Sequence, residues 1–295
     1  MTPAVEHYHP PDAPLRKFTD LIQSPGPKRP TDGTMSQAQQ ISQNAALLNN
    51  LTHLMWDASD AIMAVYASDA FGESTKADDS PVTQADLAAH QVLVEGLATL
   101  TRDIPIVSEE DASSIEAGRH STCYWLIDPL DGTKEFINRN DEFTCNLALI
   151  EDHQPTFGLV SIPALGLLYS GGPGLGSQRI SRDGQLTTLH PAPVQGLTRV
   201  VASKSHLNQE TQAFIERIPG KVELIQAGSS LKFLRIAEGL ADCYPRLGPT
   251  CEWDTAAAHA VVLGAGGSVT DLDGEELRYG KDDILNPHFV VRGPA

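Results

Sequence analysis

The sequence predicts a mixed α+β / α/β protein, and three observations carry that prediction. Apolar residues recur at helical spacing early in the chain, and short apolar runs bounded by turn signals fill its middle. Beyond about residue 190, strands alternate with helices. With 295 residues the chain can build one large domain or two packed ones.

The elements follow in order. Residues 1–35 are dense in proline (HPPDAPL, SPGPKRP) and lack hydrophobic periodicity, which predicts a disordered extension. They contain neither the apolar core of a secretory signal nor the acid-poor composition of a transit peptide. From Ser36 to Ala67, the residues Ile41, Ala45, Leu48, Leu51, Met55, Ala58, Ile62 and Val65 recur every three or four positions. They predict one long amphipathic helix or two joined ones. Thr83 reads as the N-cap of a helix carrying Ala85, Ala89, Val92, Leu93, Leu97 and Leu100 on one face. IPIV (104–107) and CYWLI (123–127) have the pattern of buried strands ending in acidic loops, and FTCNLALI, PTFGLVSIP and LGLLYSG extend that sheet. A Gly/Ser/Pro-rich stretch near 171–195 is read as a junction. Beyond it, the strands RVVAS and KVELIQ alternate with helices in NQETQAFIERI, SSLKFLRIAEGL and DTAAAHAVVLGA. The division expected is 36–190 as an N-terminal α+β unit and 191–295 as a smaller C-terminal α/β unit.

Composition narrows the function. No run approaches the ~18 apolar residues of a membrane span, so an integral membrane protein is not expected. A formal charge of −17 repels a phosphate backbone, which disfavours long nucleic acid but not a small anion held in one locally basic pocket. The four cysteines (Cys123, Cys145, Cys243, Cys251) form no C-x-x-C pair and read as buried, reduced thiols. The ten histidines show no zinc spacing, so any metal should be hard and oxygen-ligated.

Four segments place acids where a strand stops or a helix starts: Asp86 in SPVTQAD, Glu109 and Glu110 in IVSEED, Asp128 and Asp131 in WLIDPLDGT, and Asp254 in EWDTAAA. Taken singly, Asp86 serves equally as the acid of a capping box, Asp254 as an N-cap and the glutamates as a solvated turn. The DPLDGT turn is harder to explain by structure alone. Pro129 is expected to end the strand ladder at Asp128, and Gly132 to admit close backbone approach where free amides can bind an anion. Converging acids would repel one another by about 4 kcal/mol per pair at ~4 Å and an effective dielectric of 20, unless divalent cations intervene. All-oxygen ligation suits magnesium, and two such ions can activate a water and stabilise a leaving oxygen.

Together, DSPVTQAD, IPIVSEED, WLIDPLDGTKEF and EWDTAAAHA resemble the signature of the inositol monophosphatase superfamily. Within it, DGT followed by KEF is similar to bacterial CysQ-type 3′(2′),5′-bisphosphate nucleotidases, as are EFTCNLALI, SKSH, GSSLKF, YPRLGPT and the closing LNPHF. The resemblance implies a layered αβαβα fold and hydrolysis of 3′-phosphoadenosine 5′-phosphate to AMP without a covalent intermediate. Glu109, Asp128 and the Leu130 carbonyl would hold a water-activating magnesium. Asp128, Asp131 and Asp254 would hold a second, and a third, weaker ion is expected near Asp86. Thr133, oriented by Asp86, would help deprotonate the attacking water, and the amides of Gly132 and Thr133 would bind the scissile phosphate. Ser229 or Ser230, Lys232, Arg246 and the nearby His206 would meet the nucleotide's other phosphate, with Lys134 facing either phosphate or solvent. The resemblance also implies lithium sensitivity, a cytoplasmic location with loose inner-membrane attachment in some relatives, and a role in sulfur assimilation. Ala258 departs from the glycine that members often carry after the two alanines of WDTAA, which puts the aim of Asp254 in question.

Three alternatives stand beside this reading. A phosphatase forming an aspartyl-phosphate needs D-x-D, whereas Asp128 and Asp131 are three apart. An inositol or sugar phosphate substrate is the alternative within the fold, weakened by KEF and the Ser/Lys/Arg set. A non-catalytic nucleotide sensor would keep the pocket but has no need of every catalytic acid.

Overall fold

The structure, a computed structural model, describes residues 35–68, 72, 74–75, 81–191, 196–203 and 208–294. Except for Met35, the proline-rich extension lies outside them, and so does His206.

The first periodic stretch forms two helices, α1 (Gln37–Gln43) and α2 (Ala45–Tyr66). Ser36 and Gln39 cap α1 reciprocally, and Asn44 separates the two: its backbone leaves the helical region and its side chain accepts from Leu47 N. A short antiparallel pair, β1 (Ser74–Thr75) and β2 (Pro81–Val82), leads into α3 (Gln84–Leu100), capped by Thr83 as expected.

A seven-stranded sheet follows in chain order: β3 (Ile106–Ser108), β4 (Cys123–Asp131), β5 (Thr144–Glu151), β6 (Gln154–Ile162), β7 (Leu167–Gly172), β8 (Gly176–Ser181) and β9 (Leu186–Thr188). Only β3 and β4 are parallel; helix α4 (Ile115–Arg119) lies between them, and α5 (Thr133–Ile137) follows β4. The sheet is buried on both faces, so its central strands are almost continuously apolar. Trp125, Ile127, Leu147, Leu149 and Leu159 share one core with α2 and α3. The alternate residues Tyr124, Leu126, Ala148, Ile150 and Val160 share the other with α7 (Leu231–Ala237) and α8 (Glu252–Gly264). A side chain at Gly158 would begin 2.1 Å from the Ala257 carbonyl, so this glycine lets α8 lie directly on the sheet.

A second, five-stranded sheet runs β11 (Val222–Gln226), β10 (Thr198–Ala202), β12 (Cys243–Arg246), β14 (Phe289–Arg292) and β13 (Ser268–Asp271). On it, Phe214 and Ile215 of α6 (Gln209–Glu216), with its flank, pack against Val200, Cys243 and Val290. The layers are helix, sheet, helix, sheet, helix, as the family resemblance implied.

Four sequence expectations change. The 171–195 stretch is not wholly a junction, because β8 and β9 carry the large sheet on to Thr188. Pro129 does not end β4; the strand absorbs it in a register shift between Asp128 and Asp131. Asp254 is the third residue of α8 and Cys251 its N-cap. All four cysteines are free, but Cys123 and Cys251 are only partly buried.

Candidate active site

The end of β3, the shifted register of β4 and the first turn of α8 bring three acids together. One carboxylate oxygen from each of Glu109, Asp128 and Asp254 lies within 4.8 Å of the others. Glu109 follows β3 directly, and its N–H donates to the Ile127 carbonyl at 3.2 Å, which ties it to β4. Asp128 is buried, and its Oδ1 accepts from Leu130 N at 3.0 Å, whereas its Oδ2 is enclosed without a hydrogen-bond partner. Burial, then the charges of Glu109, Asp131 and Asp254, pushes the Asp128 carboxyl well above the ordinary carboxylate range. Burial, then Asp131 and Glu109, does the same to Asp254. An orphaned buried oxygen inside a cluster of like charges fits a hard cation, which would satisfy the acceptor and cancel the repulsion.

Asp131 lies beside this group but outside the three. Its Oδ2 accepts from the hydroxyls of Ser229 (2.6 Å), Ser230 (3.2 Å) and Thr144 (3.4 Å). Ser229 holds the left-handed region at φ 47°, and Ser230 Oγ also donates to the Asp254 carbonyl at 3.0 Å. The turn before α7 is thereby joined to β4 and α8.

Asp86 does two things at once. Its Oδ2 accepts from Thr83 N and Oγ1, both at 2.7 Å, and closes the capping box, while its Oδ1 accepts from Thr133 Oγ1 at 3.3 Å. Burial raises its carboxyl, only partly offset by the Thr83 hydrogen bonds. Thr133 Oγ1 is also 3.3 Å from the Leu130 carbonyl. Gly132, at φ 92°, turns the chain into α5, and a Cβ there would meet Ser229 Cβ at 3.2 Å and the Glu142 carbonyl at 3.3 Å.

Positive charge faces the acids across one cavity of about 140 Å³, lined by Asp131, Gly132, Ser229, Lys232, Arg246 and Asp254 among others. Lys232 is buried, donates to the Ser229 carbonyl at 2.6 Å and sits 5.6 Å above the Tyr244 ring. Burial pushes its ammonium down to about 8, against the pull of Asp131. Arg246 donates to the Pro249 carbonyl at 2.6 Å, and its Nε is enclosed without a partner. Arg246 also borders a second cavity of about 500 Å³, which exposed Lys134 lines as well.

A family model described as the inositol monophosphatase family matches residues 43–292. The chain belongs to the inositol monophosphatase family. Among its relatives, the 3′(2′),5′-bisphosphate nucleotidase CysQ of Salmonella typhimurium is 45% identical over 250 residues, spanning 83% of this chain and 99% of that protein. The protein of the same name from Escherichia coli K12 is 44% identical over the same shares. Among solved structures, CysQ from Bacteroides thetaiotaomicron superposes with a TM-score of 0.76 at 37% identity, covering 85% of this chain and 99% of that one. The IMPase of Thermotoga maritima, at 23% identity and a TM-score of 0.67, shares the fold. The inositol monophosphatase family is metal-dependent, and a carboxylate cluster, Glu109–Asp128–Asp254, is present in this chain.

Some contributors to this family site escaped the sequence reading. Thr144 and Asn146 are polar residues two apart on a buried strand, Thr144 next to Asp131 and Asn146 donating to Ser230 Oγ at 3.2 Å. That spacing puts both on one face of β5 and was the available signal. Ser203, Tyr244, Thr250 and Thr255 also line the cavity; they lie within the motifs SKSH, YPRLGPT and EWDTAAAHA, but no signal in those motifs singled them out as site residues. Ala258 is fully buried in the central core, so its methyl fills space beneath α8 and leaves Asp254 in the cluster.

Proposed function

We propose that this protein is a magnesium-dependent 3′(2′),5′-bisphosphate nucleotidase that removes the 3′-phosphate of 3′-phosphoadenosine 5′-phosphate, giving AMP and phosphate. The observation that carries the proposal is the single cavity in which Asp131 and Asp254 face Lys232 and Arg246. A ligand with two phosphates can meet both walls, whereas an inositol monophosphate leaves the basic wall unused. The names of the relatives that match nearly end to end point the same way.

Glu109, Asp128 and the Leu130 carbonyl would hold one magnesium ion; Asp128, Asp131 and Asp254 would hold a second, with a third near Asp86. Bound there, magnesium supplies charge neutralisation and makes water a stronger acid. The protein's own groups do the rest. Thr133 donates to Asp86, which leaves its oxygen lone pairs to accept from the attacking water. As that water's proton moves to Thr133, the threonine's own proton passes to Asp86, whose raised basicity suits it to receive one. The amides of Gly132 and Thr133 orient the scissile phosphate, and Ser229, Lys232 and Arg246, with His206, grip the other. Arg246 Nε and the Lys232 ammonium are donors that such a phosphate would satisfy.

In this scheme residues 36–190 supply the metal-binding unit and 191–295 a smaller unit that completes the site. No described helix is long and apolar enough to cross a membrane. We place the protein in the cytoplasm, where any inner-membrane attachment is peripheral, and assign it the clearance of a by-product of sulfate assimilation. The test is the product: 3′-phosphoadenosine 5′-phosphate with magnesium should yield AMP and phosphate in equal amounts, and nothing in EDTA. Adenosine 3′-phosphate as product, or release unaffected by EDTA, would overturn the proposal.

A further inference from the structure

The closing motif LNPHF (285–289) has no part in the chemistry above, yet its asparagine is buried against the start of α8. Asn286 Nδ2 donates to the Cys251 carbonyl at 2.8 Å and to Thr255 Oγ1 at 3.1 Å, with Thr250 Oγ1 at 3.5 Å. Its backbone N–H donates to the Thr250 carbonyl at 2.9 Å. Leu285 forms a bridge with Cys251, and Glu252 N donates to the Ile284 carbonyl at 2.9 Å. Residues 284–286 therefore grip the chain on both sides of Asp254.

A second fastening lies one turn of strap away. The buried Glu252 carboxylate accepts from Gly280 N (2.7 Å), Lys281 N (3.1 Å) and the Lys281 ammonium. Just before the second, Tyr279 places its hydroxyl 2.8 Å from His259 Nδ1 and 3.2 Å from Thr255 Oγ1. The segment 279–286 is thus a strap across the first turn of α8. That turn is where a helix has fewest internal hydrogen bonds and frays most readily. Asp254 occupies its third position, and the turn aims it directly, because Asp254 Oδ2 accepts from Cys251 N at 2.8 Å.

We propose that Asn286, seconded by Glu252, is a positioning residue for Asp254: the strap holds the first turn of α8 and so sets how tightly the carboxylate cluster binds its cation. This rests on the reading of Asp254 as a metal ligand. Neither residue touches the cluster oxygens in the way a ligand would, and both act through the backbone that carries Asp254.

The test compares N286A and E252Q with I62A, a buried substitution in the opposite helical layer, on the full chain. Magnesium binding without substrate is measured by titration calorimetry, and melting in EDTA is measured in parallel. The expected result is that N286A and E252Q weaken magnesium binding by about 10-fold, the lower end of what a supporting hydrogen-bonded shell contributes, while I62A lowers the melting temperature and leaves magnesium affinity within about 2-fold of wild type. If N286A does not fold, E252Q is judged against I62A alone. Magnesium affinity within 2-fold of wild type in the folded strap variants, whatever their melting temperature, would overturn the positioning role. A wild-type protein that binds no magnesium would instead overturn the metal reading beneath it.

Discussion

Replacing Asp128 with asparagine should stabilise the protein without metal and disable it with metal. In the metal-free state the three clustered carboxylates lie within 4.8 Å of one another, which corresponds to about 3.5 kcal/mol of repulsion per ionised pair at an effective dielectric of 20. The raised Asp128 and Asp254 carboxyls relieve part of this by holding protons, so the recoverable gain is on the order of 1–2 kcal/mol. Asparagine keeps the Oδ1 that accepts from Leu130 N and replaces the orphaned Oδ2 with an amide able to donate to a neighbouring carboxylate. At about 2–4 °C per kcal/mol, D128N in EDTA should melt roughly 2–8 °C above wild type. Magnesium at 100 times its dissociation constant adds about 2.7 kcal/mol to wild type and little to the variant, so the order of melting temperatures should invert. The same linkage has a pH signature. A carboxyl raised in the folded state keeps a proton that the unfolded chain has released. Metal-free wild type should therefore lose stability as pH climbs from the ordinary carboxylate range through the raised value, and D128N should flatten that slope. Differential scanning fluorimetry at several pH values, with EDTA or magnesium, reads all of this. A D128N protein that melts below wild type in EDTA and gains as much from magnesium would refute the reasoning.

Three further outcomes follow. K232M should raise KM for the bisphosphorylated nucleotide at least 10-fold at pH 7, and because burial lowers Lys232 to about 8, wild-type KM should climb between pH 7 and 9 while that of K232M stays flat; equal pH profiles would count against a phosphate contact. T133A should lower kcat by about 100-fold or more with a small change in KM, the size expected for a proton-relaying group, and a KM-only effect would assign the hydroxyl to binding. G132A must hold a side chain at φ 92° with its Cβ 3.2 Å from Ser229 Cβ, so it should cost about 1–3 kcal/mol in chemical denaturation and depress turnover; wild-type behaviour in both would remove the close-approach role.

The helices and central strands were legible because their signals are local. Thr83 and Asp86 announce a capped helix, and the Trp125–Ile127 run announces a buried strand, whatever surrounds them. The acids were legible for the same reason, since each sits beside a strong punctuation mark in the pattern. What the sequence hid is what only tertiary contact creates. GSQRIS reads as a loop because its glycine and polar residues show little hydrophobic alternation, yet ladder hydrogen bonds to β7 and β9 make it a strand. Pro129 suggested a strand end because a missing N–H usually breaks a ladder, and an irregularity in register accommodates it instead. Lys232 stood out only through the resemblance of GSSLKF, and nothing local showed that the packing of α7 would bury it over Tyr244. The three hydroxyls on Asp131 come from β5 and the turn before α7, segments 85 residues apart in the case of Thr144 and Ser229.

The most direct test of the substrate class is the rate of phosphate release from 3′-phosphoadenosine 5′-phosphate and from inositol 1-phosphate, side by side, with magnesium and with EDTA. The cavity that joins the carboxylate cluster to Lys232 and Arg246 predicts fast, EDTA-sensitive release from the nucleotide and slow release from inositol phosphate. A preference for inositol phosphate would keep the fold and the carboxylate cluster but contradict the assignment of the basic wall to a second phosphate.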